Sequence, residues 1–390
     1  MRRLIVAVGI QTYALALAFV HMLNGVRTDE AKYLLNIPYP HPPLVRTLLG
    51  FFDGWQWQEH GARLLFATLM AHAVWIVWDM GRSLRVSVRC ALCVLWLGSA
   101  AFVLQAGTVM MAPITALQAL LFLWILSLPQ QRLPSSAGIG LLWIVTLCTA
   151  LQGALLLPLV VAALRLRGAS WKAVAWYAGA PIVAIVFYAL GNPLVLASFG
   201  LQAGKDAGST FMERGQGMLW ILVLAGSGIG SIVGIAGLLL KRHWMILASF
   251  ALFAAYVFLG KFDYYAIFFL PFFITGAKHL WRRMPVLAVP SAVLILVCTV
   301  LLIAFRTPLL TPRSPAHYVL HQLDAGMILL KGSFGHEWQY EAAPGQELRR
   351  YSAGLTSQAD VAVCFDDCGD LEERGWVESD GGLAHTWRKR

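Results

Sequence analysis

Along residues 1–305 the apolar residues come in long runs with almost no acid or base inside them. A helix needs about 20 apolar residues to cross the hydrocarbon of a bilayer, and somewhat fewer when short or re-entrant. On that measure the pattern predicts eleven spans, over 4–24, 62–80, 90–105, 112–128, 137–149, 152–164, 173–190, 217–239, 244–259, 264–280 and 286–305. The fifth and sixth are short, and 137–164 reads equally as a tight helical hairpin broken near Gln152-Gly153. Gly226, Gly230 and Gly234 form a ladder on the eighth span, which favours close helix–helix packing. Their spacing does not fit the GxGxxG nucleotide loop.

The pattern changes after a Pro-rich hinge, Arg306-Thr307-Pro308 to Pro315. Val361–Phe365 reads as a short strand, and Asp380-Gly381-Gly382 as the turn of a hairpin between Trp376-Val377 and Ala384–Trp387. The expected fold class is an all-α polytopic membrane protein, residues 1–305, followed by a small external α+β module, residues 306–390.

Composition agrees. Of 390 residues 58% are hydrophobic and 13% charged, against roughly 25% charged in soluble domains. Residues 306–390 hold 12 acids and 9 bases, a net of −3, so the basic pI is confined to residues 1–305, with 8 acids and 21 bases. Lys and Arg accumulate in the cytoplasmic loops of membrane proteins, which accounts for those bases without a nucleic-acid partner. With Arg2 and Arg3 inside, 14 of the 21 bases fall on the cytoplasmic side and the C-terminus falls outside. A cleaved signal peptide is the rival reading of the first span.

That topology places Asp29, Glu30, Asp53, Glu59, Asp206, Glu213 and Asp263 outside, and only Asp79 inside. Longer, more polar outer loops explain part of this bias. The first outer loop adds something more specific. Asp29-Glu30-Ala31-Lys32-Tyr33 is followed by Tyr39-Pro40-His41-Pro42-Pro43-Leu44, so adjacent acids lie just beyond a span, where charge is expensive unless used or paired. Trp55, Trp57, Glu59 and His60 suggest an interfacial stretch with aromatics at headgroup depth.

These strings resemble the first-loop signature of the GT-C glycosyltransferases, in the branch containing the protein O-mannosyltransferase-like, aminoarabinose-transferase-like and rhizobial lipopolysaccharide transferases. Gly260-Lys261-Phe262-Asp263-Tyr264-Tyr265 through Leu270-Pro271 to Gly276-Ala277 is similar to that branch's late external motif. Leu151-Gln152-Gly153 with Leu157-Pro158 sits where members carry a Gly-rich segment ending in Leu-Pro. The resemblance covers most of 1–305 in order and topology.

It implies a bacterial inner-membrane enzyme that moves a sugar from a polyprenyl-phosphate carrier to a lipid, polysaccharide or protein acceptor at the external leaflet. Asp29 becomes the general base and Glu30 a residue positioning the acceptor or a divalent cation. Lys261 and Arg27 become phosphate and substrate ligands, with His41, Tyr264 and Tyr265 as further substrate-binding residues. No other cofactor is implied. Plainer roles stand beside each: an ion pair of Asp29 with Arg27 or Lys32, a helix cap for Glu30, loop rigidity for His41, snorkelling for Lys261 and aromatic-belt anchoring for the tyrosines. One departure is visible. Members of that branch often carry an Asp before a Pro on the outer side of the hairpin between the third and fourth spans, and Gly107–Pro113 has no acid.

Other motifs add little. Cys90-Ala91-Leu92-Cys93 has no second pair and starts an apolar helix, so packing thiols are favoured over zinc. Cys364 and Cys368 lie outside in this topology, where a local disulfide can form. No nucleophile elbow, P-loop or HExxH appears. The competing functions are a transporter or flippase for a lipid-linked sugar, which would favour internal repeats and mid-membrane acids, and a non-catalytic subunit.

Overall fold

The computed structural model describes residues 2–37, 41–55, 57–197, 210–260, 263–305, 315–323, 326–332, 335–352, 354–359, 361–365, 368–379 and 385–389. They form two compact units: 1–19 with 38–309, and 20–37 with 310–390. The polar unit therefore includes the first-loop acids as well as the C-terminal chain.

Helices cover every apolar run predicted from the sequence. They are α1 (Arg2–Leu23), α2 (Thr28–Leu34), α3 (Leu44–Leu49), α4 (Gln58–Met80), α5 (Val86–Gly98), α6 (Ala100–Gln105), α7 (Met111–Ile125) and α8 (Ser136–Thr149). There follow α9 (Leu151–Leu166), α10 (Trp171–Gly191), α11 (Phe211–Gly226), α12 (Ile229–Lys241), α13 (Trp244–Gly260), α14 (Leu270–Arg283) and α15 (Ala288–Phe305). Among the described residues, four helices are long and apolar enough to cross a membrane, or five if α11 and α12 count as one bent span. α5, α7, α8, α9 and α13 are shorter apolar helices of 10–17 residues. The break expected near Gln152-Gly153 is present. The chain turns extended at Ala150 and α9 opens with a 3-10 turn, Leu151–Leu156.

One predicted helix is reorganised. The run over 217–239 was expected to be a single helix, but α11 and α12 meet at 96°. The cause lies in Ser227 and Gly228, both at positive φ (54° and 72°). That conformation costs little at Gly and is uncommon for Ser. Tertiary hydrogen bonds hold the serine there. Its buried hydroxyl accepts the Ala100 N–H at 2.8 Å and hydrogen-bonds Thr299, whose hydroxyl also donates to the Gly98 carbonyl at 2.7 Å.

The bend divides the glycine ladder. Gly226 stays behind on α11, while Gly234 and Gly237 on α12 meet α14. A Cβ on Gly237 would overlap the Gly276 carbonyl, and one on Gly276 would overlap the Gly234 carbonyl. The two backbones thus touch directly, as small residues allow between apolar helices.

In the polar unit, α16 (Pro315–His321), β1 (Met327–Lys331), α17 (Glu337–Glu341), β2 (Glu347–Arg350), β3 (Val361–Cys364), α18 (Gly369–Glu373), β4 (Trp376–Ser379) and β5 (His385–Lys389) follow in order. The sheet order is β2-β1-β3-β5-β4. β1 runs parallel to β2 and β3, and β5 antiparallel to β3 and β4, with Ala362 opposite Trp387. Period-2 alternation supplies two cores. Ile328, Leu330, Val361 and Val363 pack with Ala316, Val319, Leu320 and Trp338. Leu329, Ala362 and Cys364 pack with Leu371, Trp376 and Trp387. The predicted strand and hairpin strands are present; the turn residues 380–384 lie outside the described residues. Cys364 and Cys368 form the disulfide.

Gly276→Val should therefore lower stability by about 2 kcal/mol or more through overpacking. Gly9→Ala, on a helix position with open space around it, should be neutral or stabilising by up to about 1 kcal/mol. Thermal unfolding of the purified protein in detergent distinguishes the two.

Candidate functional site

The expected site residues divide between the two units. In the polar unit, α2 is too short to be stable by propensity alone, and it is held by Ala31, Tyr33 and Leu34, all buried. It packs against α17. Glu30, only 1% exposed, sits at the third helical position and accepts the Arg27 backbone N–H at 3.1 Å. That is the helix-capping role. A carboxylate there also faces the positive end of the helix dipole. Asp29, one residue earlier, points elsewhere. Its carboxylate is 29% exposed and paired with Lys32 at 2.9 Å. The two adjacent acids thus have distinct environments, one enclosed as a cap and one open and cation-paired. Arg27 is exposed.

The helical unit holds the rest. His41 is half-buried at the start of the Pro42-Pro43 segment that leads into α3. Tyr265 lies in the 3-10 segment Asp263–Phe269 ahead of α14 and is 2% exposed. Its hydroxyl is 3.2 Å from that of Tyr256, and Gln152 Nε2 donates to both, at 3.3 Å and 2.8 Å. Aromatic-belt anchoring does not describe Tyr265, because its ring is enclosed and its hydroxyl joins a polar cluster. Gln152 itself comes from the Leu151–Leu156 turn, so the Gln152-Gly153 break brings an amide to the late tyrosine motif. Lys261 lies outside the described residues, as does the side chain of Tyr264. Residues 198–209, with Lys205 and Asp206, lie outside them too. Just beyond, Thr210 and Glu213 cap α11 reciprocally.

Two features of this unit were not singled out from the sequence. Glu59 and Arg63, on the first turns of α4, form a buried ion pair at 2.8 Å, with Arg63 only 1% exposed. Arg63 also donates to the Gly107 carbonyl at 3.3 Å. The Gly107–Pro113 segment carries no acid and is held here by a cation. Nearby in sequence, Gln105 Oε1 accepts the Ile267 N–H at 3.1 Å, joining the same hairpin to the tyrosine segment. The i,i+4 spacing of Glu59 and Arg63 at the start of an apolar run was the available signal.

The second feature is a groove of about 690 Å³ beside Pro42 and Pro43, between α8 and α10. Its walls are almost wholly apolar, with Leu141, Ile144, Leu147, Ile185 and the rings of Trp176, Tyr177 and Tyr188. Gly140 lets Tyr177 approach α8 closely, since a Cβ there would meet that ring. Such a groove suits a hydrocarbon chain rather than a polar metabolite.

Among the described residues, the only three-residue group of His, Cys, Asp or Glu able to hold a metal is His317, His321 and Glu341; Glu30 and His41 are not part of one. Cys90 and Cys93 are free thiols on α5. No family model, curated protein or solved structure matches the chain.

Breaking the Glu59–Arg63 pair should be costly, because a buried charge would lose its counter-ion. Arg63→Met is expected to lower stability by about 3–5 kcal/mol, and adding Glu59→Leu should recover most of that loss. Unfolding curves for the wild type and both variants check this.

Proposed function

We propose that the protein is a GT-C-like membrane glycosyltransferase, transferring a sugar from a polyprenyl-phosphate carrier to an acceptor hydroxyl at the external leaflet. The apolar groove beside Pro42-Pro43 carries the reading. An isoprenoid chain needs a long hydrocarbon-lined cleft, and this one is walled by aliphatic and aromatic side chains. It opens next to the His41-Pro42-Pro43 string that follows the first-loop acids in sequence.

Support for the topology is of three kinds. Helices occupy all eleven apolar runs, which suits an eleven-span arrangement with a cytoplasmic N-terminus. Fourteen of the 21 bases in residues 1–305 fall on one side of that arrangement. The Cys364–Cys368 disulfide in the polar unit suits an oxidising external compartment.

In the proposed reaction Asp29 takes the proton from the acceptor hydroxyl as its oxygen attacks the anomeric carbon. The bond from that carbon to the phosphate oxygen breaks, and the polyprenyl phosphate leaves with the electron pair. A base opposite the leaving group inverts the anomeric centre. Asp29 suits this role because its carboxylate is partly exposed and is held by Lys32 at 2.9 Å. Glu30 then acts through its cap, holding the first turn of α2 and with it Asp29. Lys261 and Arg27 supply the charge that makes the carrier phosphate a good leaving group. His41, Tyr264 and Tyr265 complete the substrate-binding set, with Tyr265 braced by Gln152.

The test is reconstitution with a labelled polyprenyl-phosphate sugar. Asp29→Asn should reduce turnover by ~10²–10⁴-fold, the usual contribution of a general base, while donor binding is retained. Normal turnover by Asp29→Asn would remove the base assignment. Movement of the intact lipid-linked sugar between leaflets without transfer would favour a flippase.

A further inference from the structure

The polar unit contains a cluster that the proposed reaction does not use. His317 and His321 lie four residues apart on α16, on one side of the helix, while Ala316, Val319 and Leu320 enter the core on the other. Glu341 ends α17, which packs against α16. His317 Nδ1 is 2.8 Å from Glu341 Oε2, and the two imidazole rings are 4.5 Å apart. One donor atom from each of the three residues lies within 4.8 Å of the others. Glu341 is 6% exposed, whereas His321 reaches solvent.

We propose that His317, His321 and Glu341 bind a divalent transition-metal ion of the zinc class. Two imidazole nitrogens and one carboxylate oxygen are the donor set of three-ligand zinc sites whose fourth position is open. Donors about 2.1 Å from a tetrahedral zinc stand roughly 3.4 Å apart. The present separations, from 2.8 Å for the His317–Glu341 pair up to 4.8 Å, straddle that value, so small side-chain rotations close the site. Electrostatics point the same way. A buried carboxylate such as that of Glu341 favours a cation beside it, and a dication gives the carboxylate and both imidazoles one shared partner. The open position faces solvent past His321, where water completes the coordination.

The placement gives the metal a mechanical consequence. It ties α16 to α17, and α17 is the helix on which α2 rests. An ion there braces the helix that carries Asp29 and Glu30. The site itself stands independently of the proposed transfer reaction, since binding is measured without any sugar or lipid.

The experiment uses the full chain, purified in detergent with a histidine-free tag and stripped with chelator, then dialysed against zinc and measured by elemental mass spectrometry. One zinc per chain is expected. His321→Ala replaces an exposed residue and should keep the apo unfolding temperature, while weakening zinc at least about tenfold, the size reported even for outer-shell changes. Glu341→Gln should weaken it similarly, and His336→Ala should leave it unchanged. Cobalt in place of zinc should give the intense visible bands of four-coordinate cobalt(II), lost in His321→Ala. Absence of stoichiometric zinc in the wild type would overturn the proposal, as would wild-type affinity in both His321→Ala and Glu341→Gln.

Discussion

The helical unit depends on a contact made without side chains, the approach of α12 to α14 through Gly234, Gly237 and Gly276. In an apolar scaffold, helix association gains little from hydrophobic burial, and close backbone packing takes over. For α12 to lie on α14, the chain must turn sharply after α11. The Ser227-Gly228 pair provides the turn, and Ala100 and Thr299 hold it. Once α14 is fixed, so is the 3-10 segment before it. That segment carries Tyr265 to Gln152 and Tyr256, and the Ile267 N–H to Gln105.

A second constraint follows from the same apolar setting. A polar group that leaves water inside such a scaffold must find its partner within the protein. The few polar residues of the helical unit are therefore linked across long sequence separations. Arg63 reaches Gly107, 44 residues on, and Gln118 reaches Thr149, 31 residues on. These links gather at helix ends and breaks, where backbone groups also need partners. The acid-free Gly107–Pro113 segment is held in this way, the Gly107 carbonyl accepting from the Arg63 guanidinium.

Much of this was legible in the sequence, and the failures have physical causes. Long apolar runs locate helices because length and hydropathy are local properties. The Gln152-Gly153 break, the strand at Val361 and the Trp376–Trp387 hairpin were legible because turn chemistry is also local. The bend at Ser227 was not, since its positive φ is held by groups more than 70 residues away. The Gly226-Gly230-Gly234 ladder was correctly read as close packing, but the bend moves its partner surface to Gly234 and Gly237. Asp29 and Glu30 look equivalent in sequence, and only the helix start between Arg27 and Glu30 separates cap from open carboxylate. The spacing of His317 and His321 was visible throughout, yet Glu341 joins them only through the packing of α17.

The proposed transfer requires the groove beside Pro42-Pro43 to hold the chain of a polyprenyl-phosphate carrier. Native mass spectrometry of the protein purified from its membrane in mild detergent, followed by lipid extraction, tests this directly. A retained prenyl phosphate or prenyl-phosphate sugar is expected, lost when Gly140→Trp or Ala184→Trp fills the groove. Retention of ordinary phospholipids alone, with no prenyl species in the wild type, would contradict it.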